Sequence, residues 1–244
     1  MKINIKSLSF GFTDKLIFNN LNIEIEGGDR PLVILGPSGS GKTTFLKLLG
    51  GLLKAQSCTI SFTEIDREGA FPKTAFMFQE PRLLPWLSVL DNVSLPLKKI
   101  FGNEEGQARA KHFLSMVSLE DKKNALPMEL SGGQAQRVSM ARAFAWPAPA
   151  LFMDEPFQSL DIPLRIDLMD LAMSLLEKEK RLLIAVTHDP REAIYMGGRI
   201  IILGKPGEGF VFDKPVKLNR EDRAYGSAAA GELEKEMIEL MKNQ

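Results

Sequence analysis

Pro31-Leu-Val-Ile-Leu-Gly-Pro-Ser-Gly-Ser-Gly-Lys-Thr-Thr44 (PLVILGPSGSGKTT) runs an unbroken apolar segment into a glycine-rich turn. The absence of alternation in Pro31–Leu35 predicts a strand buried on both faces. The residues after Gly41 read as a helix, near 42–54. Between them, Gly36–Thr44 fits the pattern G-x-x-x-x-G-K-[ST], in the strand-before, helix-after context that gives the pattern meaning. By average residue usage the bare pattern arises in roughly one chain in a hundred of this length, and the context lowers that further. Glycines let successive N–H groups converge on phosphates, and the helix N-terminus adds its positive end. The expected nucleotide contacts are Gly36, Ser38, Gly39, Ser40, Gly41, Lys42, Thr43 and Thr44. Lys42 is placed to reach the β- and γ-phosphates, and Thr43 to offer a hydroxyl to Mg²⁺.

The same buried-strand texture returns at Ala75–Phe78, Ala150–Met153, Leu182–Val186 and Ile200–Leu203, with helical patterns near 131–145 and 164–179. Strands alternating with helices predict an α/β, P-loop-type core around a mainly parallel sheet. Lys2–Lys6 and Leu21–Ile25 alternate apolar and polar residues instead, as half-buried antiparallel strands do. Residues 81–130 show no buried strand, contain Pro81, Pro85, Pro96 and Pro127, and carry a helical pattern near 104–118. The expected organisation is one domain over 1–244. Its α/β core and antiparallel β subdomain take 1–80 and 146–215, an inserted α-helical subdomain takes 81–145, and a tail with an amphipathic helix takes 216–244.

Lysine plus arginine and aspartate plus glutamate are each 31 among 244 residues, so a general polyanion surface is excluded and no nucleic-acid partner is expected. The single cysteine, Cys58, allows neither an internal disulfide nor a cysteine-based zinc site. The opening MKINIKSLSF has no apolar leader core, and no stretch approaches the roughly 18 apolar residues of a membrane span. A cytoplasmic globular chain is expected, with any membrane role exerted through a partner.

Two further strand ends carry chemistry. Ala150-Leu-Phe-Met-Asp-Glu-Pro156 finishes in two acids: Asp154 suits Mg²⁺ and Glu155 suits a base for an attacking water. His188, closing Leu182–Thr187, can hydrogen-bond a γ-phosphate or that water. Gln79, closing Phe76–Phe78, can touch Mg²⁺ or water. Glu129-Leu-Ser-Gly-Gly-Gln134 then poses a puzzle. Ser131 is a good N-cap for a helix running to about 145, yet Gly132 and Gly133 follow it, each costing about 1 kcal/mol against alanine inside a helix.

In this order the motifs resemble those of the ATP-binding cassette (ABC) ATPases over almost the whole chain. They are the phosphate loop, the Q-loop glutamine Gln79, the signature Leu130–Gln134, the acidic strand Leu151–Pro156, the Ser159-Leu-Asp161 D-loop and the switch histidine His188. The resemblance implies a head-to-tail homodimer in the ATP-bound state, in which Ser131, Gly132, Gly133 and Gln134 of one subunit, with Asp161, cover the ATP of the other. It assigns the hydrolytic roles to Glu155, His188, Gln79 and Lys42, the Mg²⁺ contacts to Thr43, Gln79 and Asp154, and adenine stacking to Phe12, where the family usually has tyrosine. Phe78–Val93, Asp154–Phe157 and Thr187–Ala193 look like the bacterial importers of nitrate, sulfonate and taurine. That implies an integral-membrane permease as partner, an extracytoplasmic substrate-binding protein acting indirectly, and a place on the cytoplasmic face of the membrane. Leu83, Leu84 and Trp86 then either receive a permease helix or pack within the helical subdomain. Departures are the missing Pro-x-x-Gly turn after Gly51, Gly197-Gly-Arg199 in place of Ala-Asp-Arg, and Phe12 itself. The alternatives are a soluble ABC ATPase uncoupled from transport and a small-molecule kinase built on the same phosphate loop.

Overall fold

Alternation of apolar and polar residues folds the N-terminus into an antiparallel pair, β1 (Lys2–Phe12) and β2 (Lys15–Glu26). The coordinates are a computed structural model describing residues 1–12, 15–63, 74–158 and 160–242. After β2 come β3 (Leu32–Leu35), α1 (Lys42–Leu49), β4 (Ser57–Thr63), β5 (Thr74–Met77), α2 (Val89–Met116) and α3 (Gly132–Ala145). Then follow β6 (Ala150–Asp154), α4 (Ile162–Glu179), β7 (Leu182–Val186), α5 (Pro190–Met196), β8 (Arg199–Leu203), β9 (Phe210–Pro215) and α6 (Ala228–Lys242). The chain divides into two compact units, Met1–Phe71 with Lys180–Gln244, and Pro72–Glu179.

In the first unit β1 lies between β2 and β4 in an antiparallel sheet, with Ile3, Ile5, Phe18 and Ile25 buried. The strands are longer than their alternation suggests, because bulges after Ile5, Leu8 and Phe10 break the period of two. A second sheet sets β3 between β7 and β8, both parallel to it, with β9 antiparallel on β8. All residues of β3 and β7 are buried, as an apolar run flanked on both sides requires. Phe45 of α1 meets Phe18 and Phe210 edge-on, each at 5.9 Å between centroids. Burying each such ring contributes about 2–3 kcal/mol. The helix ends at Gly50, short of the expected 54, and Gly51 turns the chain in the left-handed region.

The same unit closes on its C-terminal segment. Arg223 is buried and donates to the carbonyls of Leu218, Ile194, Gly197 and Val216. Burial first, and then Arg30, push its pKa down to about 10; the four acceptors are what make a buried guanidinium tolerable. Helix α6 packs on α5 through the fully buried Ala230 and Met237, with an Arg191–Glu234 ion pair at 2.6 Å.

In the second unit β5 and β6 pair in parallel, and Phe76 meets Phe152 edge-on. Helix α2 packs against α3. Where the sequence pattern predicts a helix only near 104–118, α2 begins at Val89, with Pro96 inside it. Ser88 caps its start by accepting from the Asp91 N–H at 3.0 Å, so the proline removes one internal bond without removing the helix. At Gly102, φ 78° interrupts the spiral, so α2 is two helices joined at a glycine kink. No helix among the described residues is long and apolar enough to cross a membrane.

Candidate functional site

The first unit holds the phosphate loop. Gly36 is buried, and a Cβ there would fall 2.6 Å from the Leu203 carbonyl oxygen and 2.8 Å from Ser40 Oγ. Only glycine lets the backbone lie that close to β8. Gly41 precedes α1 at φ 102°, with Ile17 and Phe18 against its Cα, so two separate constraints demand glycine there. Gly39 faces open space, and it and Ser38 are exposed at the loop's crest. Lys42 is only 5% exposed, and its ammonium donates to the carbonyls of Gly36 at 2.9 Å and Pro37 at 3.0 Å. A buried cation beside the N-terminus of α1 makes a positive spot that selects an anion. Ser40 Oγ is buried and meets no hydrogen-bond partner among the described residues, a hydroxyl left for a ligand's oxygen. Thr43 and Thr44 follow on the first turn of α1, both half-buried.

This unit also carries Phe12 and His188. Phe12 ends β1 half-exposed, edge-on to Phe10 at 4.9 Å. His188 follows β7 and is exposed. Its neighbours are fixed: the Thr187 N–H donates to Ile34 O at 3.1 Å, and Asp189 caps α5 by accepting from the Arg191 N–H at 2.8 Å.

The second unit holds the acids and the signature. Asp154, buried, ends β6; Glu155 follows at φ 45°, a left-handed conformation rare for a side-chain-bearing residue. The turn is held from α3, where the buried Gln136 donates to the Pro156 carbonyl, and Gln158 N–H donates to Glu155 O. Gln79 is exposed and donates to the Gln158 side chain, so the structure brings it to the turn after the two acids. Asp161 caps α4 by accepting from the Leu164 N–H at 2.9 Å. Ser159 lies outside the described residues.

Ser131 and Gln134 form a reciprocal cap at the start of α3: the Gln134 N–H donates to Ser131 Oγ at 3.3 Å, and the Ser131 N–H to Gln134 Oε1 at 3.0 Å. The two glycines differ. A Cβ on Gly132 would meet nothing within 4 Å, whereas one on Gly133 would lie 2.6 Å from Leu164 Cδ2. Gly133 is thus crowded by the Leu164 side chain of α4, while the bare face of Gly132 is open.

Besides Gln136, two more positioning groups escaped the sequence reading. Arg142, desolvated by burial so that its pKa is lowered, donates to the carbonyls of Pro81 at 2.6 Å and Arg82 at 3.0 Å, just past Gln79. Asn92 accepts from the Leu84 N–H at 2.7 Å and donates to Leu84, Leu87 and Ser88 carbonyls at 3.0–3.1 Å. Held at these points, the loop leaves Leu83 and Leu84 half-buried and presents Trp86 at 72% exposure. Neither arrangement has a sequence pattern; an asparagine and an arginine on helices look like ordinary polar residues.

A family profile described as ABC transporter matches residues 18–158. The chain is 34% identical over 236 residues to the aliphatic sulfonates import ATP-binding protein SsuB 1 of Mesorhizobium japonicum, spanning 97% of this chain and 87% of the relative. It is 36% identical over 244 residues to the Escherichia coli K12 aliphatic sulfonates import ATP-binding protein SsuB, spanning 96% and 89%. A dimeric post-hydrolysis structure of the ATP-binding cassette MJ0796 with ADP and Pi matches with a TM-score of 0.74 at 32% identity, covering 89% of this chain and all of that one. With its phosphate loop, capped signature helix and acidic strand in that order, the chain belongs to the ABC transporter family.

Proposed function

We propose that this chain is the ATP-binding and hydrolysing subunit of an importer in the nitrate, sulfonate and taurine group. It works as a dimer at the cytoplasmic face of the membrane beneath an integral-membrane permease, which a substrate-binding protein supplies. What carries this reading is likeness to import ATP-binding proteins over nearly the entire chain. The exposed Trp86, on a loop held by Asn92, supplies a physical motive for a partner: a large apolar ring left in water is covered at low cost by an apolar permease helix.

Each site residue then takes a role. Backbone N–H groups of the phosphate loop, Ser40 Oγ and Lys42 hold the triphosphate. Phe12 stacks on the base; with no hydroxyl it recognises a ring face rather than a hydrogen-bonding edge. Mg²⁺ is held by few protein atoms and prefers one or two carboxylates with phosphate oxygens. Asp154, the Thr43 hydroxyl and the Gln79 amide oxygen are such a sparse, all-oxygen set, so the residues present fit it. Bound there, the ion would offset phosphate charge. Glu155 takes a proton from water as the oxygen attacks the γ-phosphorus and the bond to the β–γ bridging oxygen breaks, giving ADP and phosphate. His188 orients that water or the γ-phosphate. The signature of the dimer partner, with Gly132 bare, caps the γ-phosphate at a helix N-terminus. Closing with ATP and reopening after hydrolysis is a population shift set by ATP's preference for the closed dimer.

The test is an affinity pull-down of the tagged chain from detergent-solubilised membranes, read by mass spectrometry. Recovery of a multi-span permease is the expected result. Reproducible recovery of soluble partners alone would overturn the importer role and leave the ATPase chemistry standing.

A further inference from the structure

The turn carrying His188 is built around a buried hydrogen bond that the reaction scheme does not use. Thr187 and Glu192 are each 4% exposed, and Thr187 Oγ1 donates to Glu192 Oε2 at 2.6 Å. The same hydroxyl oxygen accepts from the Asp189 N–H at 3.1 Å. One oxygen therefore fixes the residue before His188 and the residue after it, while the imidazole between them stays exposed. Thr187 is also tied through its own N–H to Ile34 of β3, the strand that feeds the phosphate loop.

Placing a carboxylate here is a local inconsistency in need of a reason. A buried carboxylate is costly unless it is well hydrogen-bonded, and a neutral amide would also accept from a threonine. At 2.6 Å the Thr187–Glu192 bond lies at the short end for an O–H···O pair, and a short, buried bond makes a stiffer turn. The mount is stiff as well. Glu192 sits on α5, whose C-terminal carbonyls at Ile194 and Gly197 are gripped by Arg223 and whose Arg191 is paired with Glu234 of α6.

We propose that Thr187 and Glu192 are positioning residues for His188: their buried bond fixes the turn that presents the imidazole, and it acts on the chemical step rather than on nucleotide binding. The inference rests on the role of His188 in hydrolysis proposed above.

Purified full-length protein, assayed for ATP hydrolysis in steady state and in single turnover, separates the possibilities. Thr187→Val removes the hydroxyl at nearly constant volume; kcat should fall about tenfold or more with KM changed less than about twofold. Thr187→Ser, which restores the oxygen, should recover kcat to within about threefold of the parent. Glu192→Gln, keeping an acceptor oxygen without the carboxyl group, should lie between parent and Thr187→Val. The decisive reading is the double variant: in a His188→Ala background, Thr187→Val should cause no further loss, because nothing remains to be positioned. Circular dichroism on each variant confirms the fold. If His188→Ala loses activity while Thr187→Val keeps it, or costs the same in both backgrounds, the clamp is refuted and the His188 assignment stands. If His188→Ala keeps full activity, the assignment itself falls and takes the clamp with it.

Discussion

The paired glycines of the signature make opposite demands, and substituting them separately tests both. Gly132→Ala adds a methyl into open space at the start of α3. Gly→Ala at a conformationally compatible site stabilises by about 0.4–1 kcal/mol, chiefly by restricting the unfolded chain. The fold should therefore be unharmed or slightly firmer. Gly133→Ala puts its methyl 2.6 Å from Leu164 Cδ2, 3.2 Å from Cδ1 and 3.4 Å from Cγ. Ordinary contact needs about 1 Å more than the shortest of these. Leu164 is half-buried and can swing only partway, so the low end of the overpacking range applies, about 1–2 kcal/mol. In a chain of this length that lowers the melting temperature by about 2–8 °C.

Function should rank the other way. If the partner's γ-phosphate approaches the open backbone at 132, the added methyl holds it off and ATPase activity falls about tenfold or more, the scale of losing a preorganised donor. Thermal melts followed by circular dichroism and a phosphate-release assay read the two effects independently. A double variant, Gly133→Ala with Leu164→Ala, should melt no lower than Leu164→Ala alone, because the colliding methyls are gone. Two results would refute the reasoning: Gly132→Ala melting as low as Gly133→Ala, or Gly132→Ala hydrolysing ATP at the parental rate.

Two further outcomes are expected. Glu155→Gln should bind ATP, lose hydrolysis and accumulate an ATP-dependent dimer by size-exclusion chromatography; hydrolysis at the parental rate would remove Glu155 from the base role. Asn92→Ala strips partners from the Leu84 N–H and from three backbone carbonyls, and should cost about 1–3 kcal/mol while making the 84–88 loop cleavable in limited proteolysis; an unchanged melt and cleavage pattern would show that the loop does not depend on that amide.

How far the sequence reached follows from the range of the interactions involved. Strands buried on both faces, β3, β6, β7 and β8, announce themselves because every position must be apolar. Edge strands are quieter. Phe210–Pro215 exposes four of its six residues, so little selects an apolar period; Ser57–Thr63 does alternate, with Cys58, Ile60 and Phe62 half-buried, but it too was not anticipated. Bulges hid the second half of β1, and the prolines near α2 suggested breaks where a serine cap and a kink at Gly102 carry the helix through. The motif residues stood out as candidates because phosphate chemistry constrains residue type and spacing together. The groups that hold them were not. Asn92, Gln136 and Arg142 each bind backbone carbonyls, which every residue possesses, so the acceptors leave no trace in the sequence. Thr187 and Glu192 form a side-chain pair five residues apart across a strand-to-helix turn, a separation no helix or strand period produces. Gly133 is the converse: a glycine attributed to the ligand's approach is also favoured by the closeness of Leu164, thirty-one positions on, so a signature glycine need not report ligand contact alone. Only Gly132, with nothing within 4 Å of its missing Cβ, leaves an approaching ligand as the reason for its bareness, and that is why the two substitutions must be made apart.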